Sequence, residues 1–212
     1  MSKLNTWQNR VQGLAERTWD VENIRKRLNN LFQNGFGQNN LDLGALQDSR
    51  KEVLDRVQRR AEEYEYLTHS CSKGSAIALM EEFGLGNWAI IRAMSPFPGF
   101  GMTGGICGAV TGSLIGLGLF FGSDDPEDYE GTGRTMEAAR KFITQFKVEL
   151  GTIMCPELQE DVIFGRYLDP RASQENFVAF KKAQGYEKCA LPPGIGARLA
   201  AEVILTSNGQ ES

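Results

Sequence analysis

Between Asn5 and Asn30 the apolar positions Trp7, Val11, Leu14, Ala15, Trp19, Val21, Ile24 and Leu28 recur mostly at intervals of three and four. That spacing is the signature of a helix burying one face, here with a break near Trp19. The stretch Asn34 to Asn40 is rich in turn formers, has no period and reads as a loop or joint. A second amphipathic helix is predicted from Leu46 to Leu67, with Leu46, Val53, Leu54, Val57, Ala61, Tyr64 and Leu67 on one face. Asp48 and Ser49 offer a later capped start. A third periodic segment, Ala76 to Phe83, is stopped by Gly84 and Gly86 and leaves Cys71 near its beginning.

Ser95 to Gly101 reads as a loop, and Thr103 to Phe121 as a buried helix in which Gly104, Gly108, Gly112 and Gly116 repeat every fourth residue. These glycines form a smooth strip that another helix, or an inorganic group, can approach closely. Asp124 to Gly133 reads as an acidic surface loop, followed by a helix with Met136, Ala139, Phe142, Ile143, Phe146 and Leu150 on its apolar face. Cys155-Pro156 begins a short helix, since proline suits the first helical position. Asn176 to Ala183 is helical, Gly185 to Pro193 carries Cys189 in a loop, and Gly196 to Leu205 closes the chain as a helix. No alternating strands and no repeat are visible, so the fold class is all-α. The expected organisation is an N-terminal helical extension over residues 1–67 and a compact four-cysteine helical domain over 68–212.

The composition, 41% hydrophobic and 24% charged over 212 residues, is that of a globular chain with a substantial core. A net charge of -4 gives no electrostatic reason to expect nucleic acid as a partner. The basic stretches Arg25 to Arg27 and Arg56 to Arg60 lie among carboxylates and read as solvated helix faces. The uncharged run Ala93 to Ser123 is long enough to cross a bilayer. Its prolines, its many glycines and the lack of flanking Lys/Arg clusters argue against a membrane span. The first ten residues show no secretory signal, and the expected address is cytoplasmic. Leftover apolar positions on the N-terminal helices suit a homodimer. Trp7, Trp19 and Trp88 read as packing anchors.

Four cysteines carry the candidate chemistry: Cys71, Cys107, Cys155 and Cys189, with no close C-x-x-C pair among them. A shared site would have to be assembled by tertiary folding, which would couple ligation to folding. Cys71, Cys107 and Cys155 fall near predicted helix starts, where unpaired N–H groups favour thiolates and anionic clusters. Four thiolates are the usual complement of an iron-sulfur cluster, and glycines around Cys107 would admit its sulfides and supply N–H donors. Metal-free thiol-disulfide exchange, a structural zinc site and plain burial are the other readings. His69, two residues before Cys71, is a further ligand or proton-donor candidate.

The segment Cys107-Gly108-Ala109-Val110-Thr111-Gly112 resembles the signature of the redox-active proteins of the C_GCAxxG_C_C family. The other three cysteines stand in that family's order. Ile106 precedes Cys107 and Gly108 follows it, where the family name spells Gly-Cys-Ala. The resemblance covers about Thr68 to Leu191. It implies a helical domain with a cysteine-bound redox centre: an iron-sulfur cluster, [4Fe-4S] or [2Fe-2S], on Cys71, Cys107, Cys155 and Cys189, with Gly104, Gly105, Gly108 and Gly112 beside it. It also implies a redox partner that the sequence does not identify. Related domains occur in split-Soret cytochromes, but this chain lacks C-x-x-C-H and has a single histidine, so covalent haem is not expected.

Overall fold

A computed structural model describes residues 3–37 and 42–207. The remaining positions of the predicted joint, from Gln38 onward, lie outside the described residues. The described chain is all-α, and its one β feature is an isolated antiparallel bridge between Ile106 and Met154. No helix among the described residues is long and apolar enough to cross a membrane.

The N-terminal periodicity folds as two helices, α1 (Lys3–Glu16) and α2 (Val21–Asn34), with Asp20 capping the second through the Asn23 amide at 3.0 Å. After the short α3 (Leu43–Asp48) comes α4 (Arg50–Thr68), which ends at His69 in the left-handed conformation. The chain reverses there into α5 (Cys71–Phe83), and α5 stops at left-handed Gly84. These two stops are conformational, because a residue with positive φ cannot continue a right-handed helix.

The predicted helix from Thr103 begins later than its hydrophobicity suggests. After α6 (Trp88–Ala93) and the irregular turn α7 (Gly99–Met102), helix α8 spans Gly108–Phe121. Gly104 has φ +77°, so it lies in the preceding loop and the glycine strip is Gly108, Gly112 and Gly116. Helix α9 (Tyr129–Leu150) starts inside the predicted acidic loop, because Asp128 accepts from the Gly131 amide at 2.8 Å and caps it there. Past α10 (Cys155–Leu158) and a π-turn at Gln159–Phe164 come α11 (Gln174–Lys182), α12 (Gly185–Lys188) and α13 (Leu191–Leu205). Most of the predicted Cys189 loop is therefore helical. Pro192 and Pro193 occupy the first turn of α13, where a missing N–H costs nothing.

Helix α5 packs between α4 and α8, α13 lies across all three, and α9 covers α8 and α13. Tyr64, Leu79, Met80, Phe142, Phe146 and Ile204 are fully buried in this core. The α5–α8 crossing is close because α8 presents glycine: a Cβ on Gly112 would stand 2.2 Å from the Ser72 carbonyl oxygen. Helix α1 packs on α12, α13 and the π-turn, and α2 packs on α4.

In the basic stretches Arg25, Lys26 and Arg59 are exposed, as a solvated face requires, while Arg27, Arg56 and Arg60 are drawn in by carboxylates. Arg17, from the α1–α2 link, donates to Glu62 at 2.9 Å and to Glu63 at 3.1 Å. Arg27 also pairs with Glu63 and donates to the Tyr64 hydroxyl at 2.8 Å, while Tyr64 donates to Glu81 at 2.6 Å. Arg56 and Arg60 both bind the nearly buried Glu82. Charges that alternate in sequence thus become a bonded layer joining the α1–α2 link, α2, α4 and α5. The tryptophans are packing groups, as expected. Trp7 and Trp88 donate to the carbonyls of Glu149 and Leu31, and Trp19 stacks on Tyr66 with ring centres 4.4 Å apart.

Candidate functional site

Each cysteine is placed by a local device. Cys71 is the first residue of α5, immediately after the left-handed reversal at His69 and extended Ser70. Cys107 is the N-cap of α8, and its amide donates to Ile153 at 2.8 Å. Cys155 opens α10, and its amide donates to Gly105 at 2.9 Å. Together with the Ile106–Met154 bridge, these two bonds hold residues 105–107 beside 153–155. Cys189 terminates α12, with its amide donating to Gly185 at 2.9 Å.

All four cysteines line one cavity of about 80 Å³, large enough for more than a single water. Pro98, Leu158, Ile163, Phe180 and Pro192 make its walls largely apolar. Cys107 is buried, and Cys71, Cys155 and Cys189 are half-buried. His69 also lines the cavity, its ring stacked on Tyr186 with centres 3.6 Å apart, and burial pulls its pKa down. Among the described residues, no three or more His, Cys, Asp or Glu side chains form a preformed site for a metal ion.

Helix starts alone favour thiolate, but the cavity reverses that expectation. The Cys71 thiol is pushed well up by its hydrogen bond with Cys107 and by burial. Burial first, then the proximity of Cys71, pushes Cys155 up to about 12. Burial, followed by Glu65, pushes Cys189 well up. Desolvation of a charge in an apolar enclosure outweighs the few tenths to 1 kcal/mol of a helix terminus.

Two residues of the cavity escaped the sequence reading. Gln159 accepts from the Leu168 amide at 2.7 Å, which turns its NH2 group toward Cys155 Sγ at 3.7 Å. The only clue in the sequence is its position four residues after Cys155, one helical turn on. Glu65 is 4% exposed and lines the same cavity. Nothing distinguishes it in sequence from the neighbouring acids of α4.

The four glycines of the predicted site divide. A Cβ on Gly108 would stand 2.3 Å from Cys71 Sγ, so the bare position is what brings Cys71 against the start of α8. Gly112 serves the α5–α8 contact one turn further along. Gly104 sits by Pro156, and Gly105 backs onto Phe100. The glycine lining the cavity is Gly99, where a Cβ would be 3.8 Å from Cys155 Sγ and 3.6 Å from Met102 Sδ. It opens a run of four left-handed residues, Gly99 to Met102, two of which carry side chains. Such backbone costs of order 1–3 kcal/mol per non-glycine residue and concentrates at functional sites.

No curated protein and no solved structure matches the chain. The model of one protein family, described as "Putative redox-active protein (C_GCAxxG_C_C)", matches residues 69–200, which include all four cysteines. The chain belongs to the C_GCAxxG_C_C family.

Proposed function

We propose that the protein is a redox carrier in which Cys71, Cys107, Cys155 and Cys189 hold an iron-sulfur cluster, serving electron transfer or a cluster-dependent reduction. The observation that carries this reading is convergence: cysteines from four different elements line one cavity. The donor set fits such a group. Four cysteines line one largely apolar cavity, with the Gln159 amide beside the Cys155 sulfur. A polynuclear cluster binds its cysteines through different irons, so its ligand sulfurs need not crowd around one atom. When bound, the cluster would supply one-electron chemistry. The chain would supply the ligands, the exclusion of water and the hydrogen bond at Cys155. Gly108 would contribute by admitting Cys71, and Gly104, Gly105 and Gly112 by keeping the surrounding segments close. The cytoplasm and a homodimer complete the reading, the exposed Phe32 on α2 offering apolar surface for a second copy.

Iron and acid-labile sulfide, quantified in anaerobically purified protein together with its absorbance and paramagnetic resonance, test this proposal. Both should be present in stoichiometric amounts and fall when any one of the four cysteines becomes serine. Stoichiometric absence of iron and sulfide would falsify it. Sedimentation showing only monomer at every concentration would remove the dimer.

One observation favours a second reading. The Cys71 and Cys107 thiols are hydrogen-bonded to each other, so a metal-free protein could cycle between this dithiol and its disulfide. A reversible change of two hydrogens in the alkylation mass spectrum, without iron, would select it.

A further inference from the structure

Gln159 is buried, and the chain around it holds its side-chain amide in one orientation. It stands one turn after Cys155 and opens the π-turn Gln159–Phe164, a kind of turn that is frequent at functional sites. The turn ends at Gly165 in the left-handed conformation, and three residues later the buried Leu168 amide donates to Gln159 Oε1 at 2.7 Å. A backbone N–H can only donate, so the oxygen end of the side-chain amide is the end that meets it. The NH2 end is thereby committed to the other side, where Cys155 Sγ lies at 3.7 Å. Leu158, Ile163 and Phe180 line the cavity here. Burying an NH2 group among apolar walls is costly unless it is bonded, and the Cys155 sulfur is the acceptor that bonds it.

We propose that Gln159 sets the reduction potential of the redox group in the cysteine cavity: its N–H···S hydrogen bond draws electron density from the Cys155 sulfur and makes reduction easier. The inference deepens the reading of the cavity as an iron-sulfur site and rests on it. Hydrogen bonds to ligand sulfurs are among the levers by which a protein sets such a potential. The bond strengthens as the sulfur becomes more negative, so the reduced form gains more from it than the oxidised form. An apolar enclosure enlarges that difference, because little else screens the charge. Gln159 is a positioning residue that neither ligates nor exchanges a proton, and its fixed amide makes Cys155 the ligand through which the potential is tuned.

The test is the reduction potential of the anaerobically purified wild type and Gln159→Met, read from the cluster spectrum during dithionite titration at pH 7. Gln159→Met keeps the length of the side chain and removes the donor. The ratio of reduced to oxidised cluster at a fixed poise should fall roughly tenfold, a potential lower by about 59 mV for a one-electron couple. If that variant does not fold, Gln159→Asn, with the amide drawn back by one methylene, should shift the potential in the same direction. A role confined to packing predicts the opposite sign, since a loosened wall admits water and solvent eases the charging of the cluster. An unchanged or raised potential in Gln159→Met, or in Gln159→Asn where it stands in, overturns the proposal and leaves the cysteine reading intact. A wild type without iron and sulfide sinks that reading and this proposal together.

Discussion

At the scale of single residues, Glu65 makes stability depend on pH. Its folded pKa, about 8, lies above the ordinary 4.5 because burial penalises the charged form. The folded chain thus keeps a proton that the unfolded chain releases. The associated stability is complete below about pH 4.5, declines as pH rises and is fully lost once pH passes the folded value. At roughly 1.4 kcal/mol per pH unit, the total is on the order of 4–5 kcal/mol. Urea unfolding of wild type and Glu65→Gln at pH 5, 7 and 9 should show the variant gaining stability relative to wild type as pH increases. A constant difference between them across the three pH values would refute this account of Glu65.

At the scale of elements, the α5–α8 crossing decides whether the cysteines meet. Cys71 and Cys107 begin the two helices, and the glycine face of α8 sets how closely these run. Gly112→Ala would drive a methyl group into the Ser72 carbonyl, a rigid backbone obstacle, so α8 must move away. The expected cost is about 3 kcal/mol or more, read as a lowered urea midpoint. Iron content should fall in the fraction that still folds. Gly118→Ala, with open space at its Cβ, is the control and should be neutral or slightly stabilising. What was legible in the sequence follows the same logic. The helical periods of α1, α2, α4 and α5 and the stop at Gly84 are local signals, and they were read correctly. The start of α8 was misplaced because Gly104 and Gly108 look alike in sequence, while only backbone dihedrals separate a left-handed loop residue from a helical one. The starts of α9 and α13 were missed because a cap at Asp128 and a proline-bearing first turn both resemble loop chemistry. The dispersed cysteines were legible as a set. Glu65 was not, because what sets it apart is the absence of an arginine, and that is a fact of tertiary structure.

At the scale of the whole molecule, the N-terminal helices support the cysteine cavity from outside. Helix α1 packs on α12, which ends at Cys189, and on the π-turn that follows Cys155 and carries Gln159. The Gln184 side chain donates to the Ala15 carbonyl at 2.9 Å, fastening the left-handed residue that precedes α12 to the end of α1. Arg17, just beyond it, anchors the same region to Glu62 and Glu63 of α4. Removing α1 and α2 would therefore uncover one wall of the cavity and leave Glu62 and Glu63 without Arg17, while the α4, α5, α8 and α13 core keeps its own contacts. Deleting residues 1–37 should preserve most of the helical circular dichroism yet speed alkylation of Cys189 and Cys155 by tenfold or more. Cys107, held at the α8 terminus by the Ile153 carbonyl, should change least. The measurement is iodoacetamide labelling followed by peptide mass spectrometry under non-denaturing conditions. Equal acceleration at all four thiols would mean that the core opens as one unit and that α1 does not guard a particular wall.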